Sequence, residues 1–68
     1  MQLVINGEAR GFELEPGASV AALIAAMGLR PEVVAVEVNG TLVPRSTHDE
    51  HALAEGDRVE CVTLVGGG

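Results

Sequence analysis

Two Asn-Gly dipeptides, Asn6-Gly7 and Asn39-Gly40, each sit between short alternating apolar segments, with one helical stripe between them. Asn-Gly in that setting is a strong hairpin signal, because the tight primed turns need positive φ at their central residues. Gln2 to Asn6 alternates, with Leu3 and Ile5 on one face and Val4 on the other. Arg10 to Glu15 alternates again, placing Phe12 and Leu14 opposite Glu13 and Glu15. These segments predict an N-terminal hairpin whose loop is longer than two residues.

Pro16-Gly17 ends the hairpin. Ser19 is a good helix N-cap, since its hydroxyl can accept from a free amide of the first turn. Val20, Leu23, Ile24 and Met27 then recur at i, i+3, i+4 and i+7, which is one stripe of a helix. The alanines between them favour helix, Gly28 suits the left-handed C-terminal cap, and Pro31 blocks continuation. Val34, Val36 and Val38 define a third strand, and Thr41 to Val43 is its short return, closed by Pro44. Ser46 to Ala54 is polar and compatible with one short helical turn. Gly56-Asp57 is a turn, and Arg58 to Val65 is the last long strand. Its Val59, Cys61, Thr63 and Val65 share one face; Glu60, Val62 and Leu64 share the other.

An amphipathic helix between two hairpins needs a sheet to cover its stripe. The predicted fold is α+β: a β-grasp (ubiquitin-like) mixed sheet of four to five strands wrapped over one helix. The predicted organisation is one domain over 1–65 with a flexible glycine tail at 66–68. Sixty-eight residues leave no room for a second core, and so small a core leaves little stability for a deep catalytic cleft. A carrier or binding module fits that size better than a self-contained enzyme.

Charge narrows the partners. Ten acids stand against four arginines and no lysine, for a formal net charge of -6. An acidic surface repels phosphate backbones, and Phe12 alone provides no stacking platform, so nucleic acid is excluded as an expected partner. No basic leader segment or long apolar run points to secretion or to a membrane. The expected compartment is the reducing cytoplasm, with Cys61 free and packed as a small hydrophobe. His48 and His51, with Asp49 and Glu50 between them, are expected to be solvated loop residues rather than metal ligands.

The sequence ends Gly66-Gly67-Gly68. Glycines lack a Cβ and can thread a narrow channel in a partner. The only reactive group at such a tip is the α-carboxylate of Gly68. A carboxylate is a poor electrophile, but adenylation by ATP makes a mixed anhydride. A sulfur nucleophile can then displace AMP and leave a thiocarboxylate. Val62 and Leu64, next to the tail, form an expected docking patch, with Arg58 available to pair with a partner's acid.

Three segments carry a family resemblance: Asn39-Gly40-Thr41-Leu42-Val43-Pro44-Arg45-Ser46, then Leu53 with Gly56-Asp57-Arg58-Val59-Glu60, then Gly67-Gly68. The chain resembles the ThiS family of thiamine-biosynthesis sulfur carriers over essentially its whole length. It departs at His48, near which relatives often carry an aromatic, and at Gly66, where many have a side chain. The resemblance implies a non-enzymatic protein co-substrate that binds no cofactor of its own. It implies three partners: a ThiF-type adenylating enzyme that uses ATP, a sulfur-donating enzyme, and the thiazole synthase ThiG. Gly68 would carry the adenylate and thiocarboxylate, and Gly66 and Gly67 would thread the partner's channel. The alternatives are a MoaD-like carrier for molybdopterin synthesis, a carrier for tRNA thiolation or protein conjugation, and a β-grasp interaction module without tail chemistry.

Overall fold

Both Asn-Gly pairs adopt positive φ at both residues, at 50° and 86° for Asn6-Gly7 and 51° and 84° for Asn39-Gly40. This is the backbone twist that two-residue hairpin turns require. In this computed structural model, which describes residues 1–64, each turn closes a tight antiparallel pair. Strand β1 (Gln2–Ile5) returns directly into β2 (Glu8–Gly11), with Ile5 across from Glu8. The expected second strand at Arg10–Glu15 is therefore corrected. The positive-φ turn sets the loop at two residues and starts pairing at Glu8. Phe12 and Leu14 lie beyond the strand and still pack half-buried against the core.

The helix α1 (Val20–Ala26) has both ends satisfied. Ser19 Oγ accepts from the Ala22 N–H at 3.1 Å. The Val20 and Ala21 amides, which have no partner inside a helix, donate to the carbonyls of His51 and His48 at 2.9 and 3.0 Å. At the other end Gly28 takes φ +71°, its N–H donates to the Ala25 carbonyl, and the Leu29 N–H donates to the Ile24 carbonyl. That pair of bonds is the Schellman cap, which glycine permits without a Cβ clash. Pro31 opens a short 3-10 turn, Pro31–Val33, before β3 (Val34–Val38). Strand β4 (Thr41–Val43) leads into a second 3-10 turn, Arg45–Thr47, and the last strand is β5 (Arg58–Thr63). The expected end of that strand at Val65 lies outside the described residues.

The five strands form one mixed sheet in the order β2-β1-β5-β3-β4. β1 and β5 run parallel at its centre, and all other neighbours are antiparallel. One face packs on α1 through Leu3, Ile5, Val36, Val38 and Val59 against Val20, Leu23 and Ile24. Each such side chain contributes about 1.5–3 kcal/mol by leaving water. Leu53, from the irregular segment after the second 3-10 turn, completes this layer at 2 % exposure. A five-stranded mixed sheet over a single helix is the β-grasp, ubiquitin-like fold. No helix among the described residues is long and apolar enough to cross a membrane.

Candidate functional site

The alternation of β5 decides which of its residues face outward. Val59 is fully buried on the helix side and Cys61 is half-buried beside it. Arg58, Glu60, Val62 and Leu64 fall on the opposite face, which no element among the described residues covers. Val62 and Leu64 are 59 % and 54 % exposed, as the alternation predicts. Val62 belongs to the strand at the middle of the sheet, held between β1 and β3, and Leu64 follows directly after its last residue. The Leu64 N–H still donates to the Val33 carbonyl at 2.6 Å, so backbone pairing continues one residue past the strand. Gly66, Gly67 and Gly68, the residues expected to thread and to react, lie outside the described residues.

Strand pairing brings further residues to this face. Ala35 lies across from Val62, and Glu37 across from Glu60. Leu42 lies across from Glu37 on the sheet edge and is 63 % exposed. Sequence reading places Leu42 in its strand but does not join it to Val62 and Leu64. The joining comes from β3, which lies between β4 and β5. Arg58 is exposed near Val4 and Asn39, and with Glu37 and Glu60 it borders a shallow hollow of about 240 Å³.

Cys61 is the only cysteine. Burial, and secondarily the neighbouring Glu60 carboxylate, push its thiol up from the ordinary value. Both effects disfavour the thiolate, the nucleophilic form. Its environment suits packing rather than thiol transfer.

The expectation for His48 is corrected. It is 4 % exposed, not solvated. Its Nε2 lies 3.2 Å from the Val43 carbonyl. A carbonyl only accepts, so Nε2 is the donor in this contact. The physical reason for burial is the helix: the His48 and His51 carbonyls cap its first amides and draw this segment against α1. A groove of about 270 Å³ runs beside it, between α1 and Arg45–Asp49. His51 is half-buried, and the described residues contain no group of three side chains able to hold a metal ion.

Comparison with known proteins agrees with this geometry. The model of the family described as "ThiS family" matches residues 3–68. Thiazole synthase of Paramagnetospirillum magneticum is 43 % identical over the 68 residues of this chain. The chain spans only 20 % of that enzyme, and the same share of the Magnetococcus marinus thiazole synthase, which is 38 % identical. The uncharacterized protein ycf40 of Porphyra purpurea is 32 % identical, with 93 % of its length covered. Among solved structures, the thiamine biosynthesis protein ThiS from Geobacter metallireducens has a TM-score of 0.85. It is 32 % identical, with both chains fully covered.

Proposed function

The chain belongs to the ThiS family, and from that premise we propose that it is a sulfur carrier loaded at Gly68. The Gly68 carboxylate oxygen attacks the α-phosphorus of ATP in a ThiF-type enzyme, releasing pyrophosphate and forming an acyl-adenylate. A hydrosulfide-equivalent nucleophile from a sulfur-donating enzyme attacks the acyl carbon. The C–O bond to AMP breaks, a proton is released, and a thiocarboxylate remains. That soft anion passes its sulfur to thiazole synthase for the thiazole of thiamine. The chain is a co-substrate in this scheme, and ATP is bound by the activating enzyme.

One observation supports the reading most directly. The central strand β5 leads towards the glycines and leaves Val62 and Leu64 uncovered immediately before them. A partner gripping that face receives the tail at a fixed distance, and glycines offer no side chain to obstruct a channel. The likeness to two thiazole synthases favours thiazole formation over molybdopterin as the destination.

The test is intact mass after incubation with ATP, a sulfur source and a ThiF-type enzyme. The expected gain equals the mass of sulfur minus that of oxygen, and it vanishes when Gly68 is deleted. No gain with an enzyme shown to be active on another carrier would refute the proposal. Supplying thiazole synthase and the molybdopterin precursor in parallel then identifies the acceptor.

A further inference from the structure

Both asparagines of the chain are followed by glycine, at Asn6-Gly7 and Asn39-Gly40. Both pairs are exposed and form the hairpin turns after β1 and β3. An Asn-Gly pair can convert itself in water. The glycine nitrogen attacks the side-chain carbon Cγ, its proton leaves with the amide nitrogen as ammonia, and a cyclic imide closes. Water then opens the ring. Attack at Cγ breaks the new bond to nitrogen and leaves aspartate. Attack at the main-chain carbonyl carbon breaks the original peptide bond and leaves isoaspartate. Water enters and ammonia leaves, with nothing oxidised or reduced. Glycine favours the first step because it has no side chain beside the attacking nitrogen.

The fold ties up both reacting side chains on β5. Asn6 accepts from the Cys61 N–H and donates to the Cys61 carbonyl. Asn39 donates from Nδ2 to Asp57 Oδ1 at 3.1 Å and accepts at Oδ1 from the Arg58 N–H at 3.0 Å. Closing the imide turns Cγ onto the next nitrogen, so these bonds must break first. Apart from chain neighbours, no atom of the described residues lies within 4 Å of where a Cβ on Gly7 or Gly40 would stand, so the turns have no steric cover. Protection falls to the bonded side chains and the ordered turn.

The product cannot restore the same bonds, because an ionised carboxylate only accepts. At position 39 it would set a second carboxylate against Asp57, whose other oxygen already accepts from the Ala54 N–H. Like charges that close repel. Arg58 borders the same hollow as Asn39, but Glu37 and Glu60 already balance its charge there. At position 6 the new carboxylate would face the Cys61 carbonyl, also an acceptor. Either conversion turns a bond that holds β5 into a repulsion, at the strand's entry for Asn39 and on its β1 flank for Asn6.

We propose that Asn6 and Asn39 are sites of spontaneous deamidation, protected while the chain is folded, whose conversion releases β5. A first conversion lowers the stability that protects the second site, so the chain loses its fold faster as it ages. No step depends on the carrier chemistry at Gly68.

The experiment incubates the full chain in mildly alkaline buffer, folded and in urea, and follows each site by mass. Tryptic cleavage after Arg10 puts the two asparagines on separate peptides. Each site is expected to gain the mass of OH minus that of NH2, about tenfold or more slowly in the folded chain. Equal rates in the two states would overturn the proposal. The consequence is read with Asn39→Asp and with Asn39→Asp/Asp57→Asn, which exchanges amide and carboxylate and keeps a donor facing an acceptor. The single variant is expected to raise the unfolding equilibrium constant about tenfold or more in urea titrations, and the exchange to recover most of that loss. An Asn39→Asp chain too unstable to fold supports the proposal when the exchange folds. An exchange no more stable than the single variant, or a single variant as stable as wild type, would overturn it.

Discussion

The side-chain amide of Asn6 takes both backbone polar groups of Cys61, accepting from its N–H at 2.8 Å and donating to its carbonyl at 3.2 Å. Asn6 thus adds one rung to the parallel β1–β5 ladder, whose last backbone bond runs from the Asn6 N–H to the Val59 carbonyl. Asn39 does similar work at the start of the same strand, accepting from the Arg58 N–H and donating to Asp57. The residue type that makes each hairpin turn also fastens the strand leading to the tail.

Replacing Asn6 by glycine keeps the positive φ but removes both side-chain bonds. Two exposed hydrogen bonds and the added chain freedom predict a loss of about 1–2 kcal/mol. Asn6→Ala should lose more, because alanine at φ 50° is strained as well. Urea unfolding of the three proteins checks the order wild type, glycine, alanine. Equal stability of the glycine variant and wild type would mean that the Cys61 bonds contribute nothing net.

His48→Ala should destabilise the fold by about 2–3 kcal/mol, through a cavity beside α1 and a lost donor to the Val43 carbonyl. For a domain this small, each kcal/mol moves the midpoint by about 4–8 °C. His51→Ala leaves the backbone carbonyl that caps the Val20 amide in place and should cost clearly less. Thermal unfolding followed by circular dichroism compares the two.

These residues also mark where sequence reading stops. Leu3, Val36, Val59 and the helix stripe announce their burial by period, because one covered face imposes period two on a strand and 3.6 on a helix. Ser19 and Gly28 announce the helix ends by their chemistry. The segment from His48 to Leu53 carries no such period. Its order comes from donors on α1 and from Leu53 reaching the core, which are tertiary contacts between distant residues. The alternation of Phe12 and Leu14 resembles a strand, whereas the turn at Asn6-Gly7 sets where the pairing of β2 starts. The outer face was visible at Val62 and Leu64 but not at Leu42 or in the Glu37–Glu60 pairing, since register between strands cannot be read within one strand.

The docking patch predicts a separation of binding from folding. Val62→Thr/Leu64→Ser removes exposed apolar surface and leaves the buried face intact. Stability should change by less than about 1 kcal/mol. KM for loading by the ThiF-type enzyme should rise about tenfold, as expected when central interface side chains are truncated. Steady-state loading kinetics beside a urea titration read both quantities, and an unchanged KM would remove these residues from the interface.

The Cys61 thiol gives a prediction with a sign in pH. Burial, with Glu60 adding to it, raises the folded-state pKa above the unfolded value, so the folded chain holds the thiol proton more tightly. That contribution to stability is fully present below the unfolded value, near 9, and falls as pH rises from there through the folded value. Stability measured by urea unfolding should therefore decline across that alkaline window, and Cys61→Ala should flatten the decline. Alkylation by iodoacetamide at neutral pH should also be slower for the folded chain than for the same chain in urea, because the thiolate is the reacting form. Faster alkylation in the folded state would mean an activated thiol, and would reopen a role for Cys61 in sulfur transfer.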